Sequence, residues 1–99
     1  MPDLSPGIVG IPWYRLDRYD DVVRLMADGA SFPKTRASWR LKAGRMEREL
    51  TRQGRHAVRI ELDPDVFARW CEDRGLRPDS VARARYVEEA VSRMHTAPD

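Results

Sequence analysis

Two histidines, one cysteine and two lysines in 99 residues leave little from which to build reactive chemistry. A zinc or non-haem iron centre needs three or four convergent ligands, and His56 and His95 stand far apart with no second ligand at helical or turn spacing. Cys71 is alone, so no internal disulfide forms, which fits a reducing compartment. The glycines Gly29, Gly44, Gly54 and Gly75 stand singly, and none belongs to a phosphate-cradling loop. The longest nearly apolar run, Ile8 to Trp13, is about a third of a membrane span and contains Pro12. The opening Met1-Pro2-Asp3 lacks the basic and apolar regions of a secretory signal. These absences set the expectation of a bacterial-type cytoplasmic protein with no membrane contact, no metal, no cofactor and no catalytic residues.

What the chain does have is charge. Charged residues make up 34 % of it, the mean hydropathy is −0.65, and the formal net charge is only +2. The layout is uneven. Residues 1–33 hold three arginines against five aspartates, and residues 61–99 hold six arginines against nine acids. Residues 34–60 carry nine cations (Lys34, Arg36, Arg40, Lys42, Arg45, Arg48, Arg52, Arg55 and Arg59) against Glu47 and Glu49. A basic block between acidic flanks is the strongest global signal in the sequence. The bias toward arginine over lysine, beside many alanines, also fits a GC-rich genome, so arginine abundance alone does not indicate phosphate recognition.

The length suits one domain, 1–99, with one modest core. Residues 1–15 carry Pro2, Pro6, Gly7, Gly10 and Pro12, which exclude a helix and imply an extended segment laid on the body of the domain. Asp17 is placed to cap a first helix, whose face Tyr19, Val22, Val23 and Met26 repeats at helical spacing and ends at Gly29. A second helix spans about Thr35 to Gln53, with Gly54 as its stop. Its Trp39, Ala43, Met46 and Leu50 fall in a stripe roughly 60° wide.

From His56 to Leu62 the period becomes two, which marks the one clear strand. Asp63-Pro64-Asp65 starts a third helix carrying Phe67, Trp70 and Cys71, closed by Gly75. Pro78-Asp79-Ser80 starts a fourth, with apolar face Ala84, Val87, Val91 and Met94, and residues 96–99 form a frayed tail. The fold class is thus α+β, mainly helical, in the order coil-α-α-β-α-α. A lone strand leaves its ladder unpaired, so it pairs either with the N-terminal segment or across a homodimer. The expected core is Val22, Met26, Trp39, Met46, Leu50, Val58, Ile60, Phe67, Trp70, Val87 and Val91.

Two surfaces are candidates for binding. Trp13, Tyr14 and Arg15 could form an aromatic platform using stacking or cation–π contact, or Trp13 could plug the core with Tyr14 over its rim. Arg45, Arg48, Arg52 and Arg55 gather on one side of the second helix and continue into Arg59. That basic face suits a phosphate backbone, an acidic partner, or solvent alone. Adjacent acids such as Asp20-Asp21 and Glu88-Glu89 point about 100° apart on a helix and do not form a proton-sharing dyad.

Ala57-Val58-Arg59-Ile60-Glu61-Leu62-Asp63-Pro64 through Met94 resembles a ribbon-helix-helix unit. That resemblance implies a dimer whose paired strands read DNA through Arg59 and Glu61, with Ser80 touching phosphate. Pro64 to Gly75 is about one turn shorter than the first helix of that family, and the long segment before the strand departs from its pattern. Over the whole chain, Ile11-Pro12-Trp13-Tyr14-Arg15, Asp17 with Tyr19, and Phe67-Ala68-Arg69-Trp70-Cys71 resemble an uncharacterised family of small proteobacterial proteins, which implies a shared fold and no particular chemistry.

The functional expectation is a non-catalytic interaction module, an adaptor or accessory protein with a protein partner and a homodimeric state. The alternative is a DNA-binding regulator of ribbon-helix-helix type. Mid-helix and beside Phe67 and Trp70, Cys71 has no helix N-terminus to lower its pKa. Native protein is therefore expected to react slowly with a thiol reagent at neutral pH and to carry no stoichiometric zinc or iron by elemental analysis. Rapid labelling of Cys71 would contradict its inert, apolar setting.

Overall fold

A computed structural model describes residues 7–95, apart from the side chain of His95. Its order is β1 (Ile8–Trp13), α1 (Tyr19–Leu25), α2 (Arg36–Arg52), β2 (His56–Glu61), α3 (Pro64–Arg74) and α4 (Ser80–His95), with 3-10 turns at Leu16–Arg18 and Gly29–Ser31. The chain is mainly helical, with four helices as the periodicities imply and one strand more. The tail at 96–99 and residues 1–6 lie outside the described residues.

The N-terminal segment supplies the second strand. β1 and β2 run parallel, with Ile8 opposite His56 and Trp13 opposite Glu61, and the Leu62 N–H donates to the Trp13 carbonyl at 2.9 Å. Parallel strands need a long crossover, and α1 and α2 form it. Because Trp13 directs its backbone at β2, alternation turns the backbone of Ile8, Gly10 and Pro12 to the outer edge. The missing N–H of Pro12 therefore costs no ladder bond. Gly10 matters for another reason: a Cβ there would run into Val87 and Val91 of α4. Its absence lets α4 close on one face of the pair. On the opposite face Ile11 is buried, and Trp13 meets Trp39 of α2 edge-on at 4.9 Å.

Local chemistry sets the helix ends. Thr35 caps α2 by accepting from the Ser38 N–H at 3.1 Å. Asp63 caps α3 by accepting from the N–H groups of Asp65 and Val66 at 2.8 and 3.1 Å, with Pro64 following it at the first position. Asp79 accepts from the Ala82 N–H at 3.0 Å and begins α4. At the other ends Gly54 and Gly75 have φ of 80° and 64°. That left-handed geometry lets the Arg55 and Leu76 N–H groups turn back onto Leu50 and Cys71 at 2.8 Å each.

α1 departs from expectation. Asp17 does not cap it, because its carboxylate takes both hydrogen bonds of Arg15 at 3.1 and 2.9 Å. A 3-10 turn precedes the helix, and the chain becomes extended at Met26, before Gly29. Gly29 instead opens the second 3-10 turn.

One buried cluster joins Tyr14, Tyr19, Val22, Met26, Trp39, Ala43, Leu62, Phe67, Cys71 and Ala82. Of the expected core, Val22, Met26, Trp39, Phe67 and Val87 are buried, while Leu50, Val58, Ile60, Trp70 and Val91 are half-buried. Met46 is 47 % exposed and lines a cleft. On α4 the buried positions are Ala82 and Val87, whereas Ala84 and Met94 face outward. The cause is Tyr86, which turns toward α3 and meets Phe67 and Trp70 edge-on at 5.3 Å each.

Phe67 has 0 % exposure and joins α3 to this aromatic group. Phe67→Ala should lower the unfolding free energy by roughly 3–5 kcal/mol, a large part of the 5–15 kcal/mol typical of a domain. Urea denaturation reads the loss. A midpoint near wild type would mean that the α3–α4 aromatic contact contributes little.

Candidate functional site

The basic residues around α2 divide between those packed on aromatic rings and those exposed on the outer face. Arg59, on β2, lies over the Trp13 ring at 3.9 Å and donates its Nε and Nη2 hydrogens to the Glu47 carboxylate at 2.7 and 3.0 Å. These hydrogen bonds pull the Glu47 pKa down and push that of Arg59 up. Arg40 adds a second cation beside Trp13 at 5.0 Å. Arg36 donates to the Tyr14 carbonyl at 3.1 Å and lies over Trp39 at 5.4 Å. Arg59 is therefore engaged with Trp13 and Glu47 while its side chain stays 47 % exposed.

Arg45, Arg48 and Arg52 remain together on the outer side of α2, all exposed. Arg52 pairs with Glu49 one turn earlier, whereas neither Arg45 nor Arg48 makes an ion pair with a described residue. Leu41, 66 % exposed, stands on the same stripe, one turn before Arg45 and two before Arg48. Arg55 falls beyond the end of α2 and lines a second hollow, between β1 and α4.

The aromatic triplet is not an open platform. Tyr14, not Trp13, is the deep residue, with 2 % exposure and ring centroids 4.9 Å from Trp39 and 5.9 Å from Phe32. Trp13 is half-buried under its two arginines, and Arg15 points away to Asp17 in an exposed pair. Cys71 is buried, and burial raises its thiol pKa. His56 is exposed. Among the described residues no three His, Cys, Asp or Glu side chains gather as a metal site, and no helix is long and apolar enough to cross a membrane.

A cleft of about 240 Å³ opens between β1, the Gly29–Ser31 turn, α2 and α4. Its walls include Ile11, Phe32, Trp39 and Met46, with Lys42 among its lining residues. At one end Arg83 of α4 donates Nη1 and Nη2 hydrogens to the two oxygens of Asp28, each at 2.8 Å. The Arg83 side chain is 13 % exposed, and its guanidinium lies over Phe32 at 4.9 Å. Hydrogen bonding to Arg83 holds the Asp28 carboxyl below its ordinary range. Nothing in the sequence pairs Asp28 with Arg83, and Phe32 read only as part of a loop before Pro33. Of the cleft residues, the sequence marked Tyr14 as part of an aromatic platform and Trp39 and Met46 as one helical stripe, with nothing to join the two groups.

Comparison with protein-family models, with curated proteins and with solved structures found no match to this chain.

The Tyr14 phenol is pushed up to about 12, chiefly by burial, with Arg83 working against the rise. A raised folded-state value means stability that is complete below the ordinary tyrosine value of 10.0 and is lost as pH climbs toward about 12. Alkaline unfolding followed by circular dichroism should therefore steepen across that window. Tyr14→Phe should flatten it, and an unchanged slope in that variant would assign the alkaline loss to other groups.

Proposed function

We propose that the protein is a non-catalytic interaction module, an adaptor or accessory protein, whose outer α2 face receives an acidic protein partner. The observation that carries this reading is the stripe Leu41–Arg45–Arg48–Arg52, an exposed leucine set among cations of which two lack a carboxylate partner among the described residues. An apolar anchor ringed by charge is a common form of partner surface. A phosphate backbone would use the cations but leave the leucine in water. A homodimer belongs to the same reading. The outer edge of β1 carries no charged residue, and sheet edges without charges invite pairing with another chain.

The ribbon-helix-helix alternative draws less support. Arg59, its base-reading residue, is committed to Glu47 and Trp13, and the strand that would pair across a dimer already pairs with β1.

A labelled peptide alternating acidic residues with leucine, and a DNA duplex, separate the readings. The peptide should bind at low salt, and replacing Arg45, Arg48 and Arg52 together by Gln should weaken it about tenfold, at roughly 0.5 kcal/mol for each exposed charge contact. Tight duplex binding at about 50 mM salt with no peptide binding would instead favour the regulator. An unaffected triple variant would remove α2 from the account.

A further inference from the structure

We propose that the cleft walled by Phe32, Trp39 and Met46 is a binding site for a small aromatic carboxylate, a function separate from the α2 stripe and independent of it. Three features of the cleft carry this, and each concerns a different property of the ligand.

The first is the wall. Tyr14 has its ring centroid 4.9 Å from Trp39 and 5.9 Å from Phe32, and Met46, 47 % exposed, also lines the cleft. A thioether and ring edges give an adaptable apolar surface suited to a flat aromatic body. The space of about 240 Å³ exceeds the roughly 150 Å³ of a cavity that holds benzene, so a body of one or two rings fits.

The second is the hydroxyl of Tyr14. The residue is 2 % exposed and lines the cleft together with Arg83 and Asp28. Among the described residues its hydroxyl has no hydrogen-bond partner, although the neighbouring Tyr19 hydroxyl donates to the Pro33 carbonyl at 2.6 Å. No side-chain polar atom among the described residues is both buried and unpaired, so this hydroxyl opens on the space of the cleft. A ligand oxygen near Arg83 can accept from it.

The third is the balance of donors and acceptors. Two cations line the cleft, Arg83 and Lys42, against one carboxylate, Asp28, and both Asp28 oxygens already accept from Arg83. Lys42 makes no ion pair with a described residue. The spare groups are the Lys42 ammonium and the remaining Arg83 hydrogens, which only donate, and the Tyr14 hydroxyl, which can donate as well as accept. An anion meets them, and a carboxylate on a ring places its acceptors where charge-assisted hydrogen bonds form. A cationic ligand would face Arg83 and Lys42 with only an occupied carboxylate to receive it.

Amide and indole NMR shifts test the assignment on the full chain, with benzoate, phenylacetate and indole-3-acetate as probes, and benzylamine and benzyl alcohol as controls. At least one carboxylate should saturate below about 10 mM, with shifts centred on Phe32, Trp39 and Ala43. Tyr14→Phe keeps the ring and removes only the unpartnered hydroxyl, and should weaken binding about tenfold. Lys42→Gln changes an exposed side chain and should act in the same direction, so it serves even if the Tyr14 variant folds poorly. The proposal is overturned if no carboxylate saturates, if benzylamine or benzyl alcohol binds as tightly, if both variants bind like wild type, or if the shifts fall on the Leu41–Arg52 stripe instead.

Discussion

The parallel pairing of β1 with β2 is the constraint from which the rest of the structure follows. Two parallel strands cannot be joined by a tight turn, so the chain between them must travel the length of the sheet and return. α1 and α2 occupy that path, and this puts Trp39 against Trp13 of β1 from one side. The strand carries no charged residue and can be covered on both faces without burying an ion. Gly10 completes the arrangement by admitting α4 on the second face. Pro12 sits where its missing donor faces outward, so the residue that excluded a helix also leaves the strand intact.

Arginine in this protein works more as a packing residue than the net charge suggests. Of the nine cations in the basic block, Arg36, Arg40 and Arg59 lie over Trp39 or Trp13, and α4 adds Arg83 over Phe32. A guanidinium can stack on a ring and bond a carboxylate in the same pose, which an ammonium cannot do as well. Arg59 with Trp13 and Glu47, and Arg83 with Phe32 and Asp28, are two copies of that arrangement on different elements. Each uses a carboxylate from another part of the chain, so each also fixes how two elements sit. Arg18 plays a related part near the surface, pairing with Asp21 and reaching Asp63 and Asp65 at the start of α3.

Much of the fold was legible because its signals are local. The α2 and α3 boundaries follow from Thr35, Gly54, Asp63-Pro64 and Gly75, each acting on its own turn of backbone. The alternation through Val58 and Ile60 announced β2. Where contacts between elements decide, local reading failed. Asp17 has the side chain of a helix cap, but Arg15 competes for it and wins. Periodicity put Ala84 and Met94 on the inner face of α4, yet Tyr86 finding Phe67 and Trp70 turns the helix to bury Ala82. The aromatic triplet was readable as a group, but which ring would be deep depended on Phe32 and Trp39, which come later in the chain.

By itself the sequence determined the helical character, the position of β2, the ends of α2 and α3, the buried setting of Cys71 and the need of the strand for a partner. All of these rest on the backbone's own hydrogen-bonding demands and on side chains a few residues apart. Only the tertiary structure decided which partner the strand took, which arginines lie over aromatic rings, and that Asp28 and Arg83 meet at a ring-lined cleft. The physical reason is distance along the chain. Asp28 and Arg83 are 55 residues apart, and neither carries any mark of the other. A charge whose partner is that remote has no fixed role until packing brings the two together.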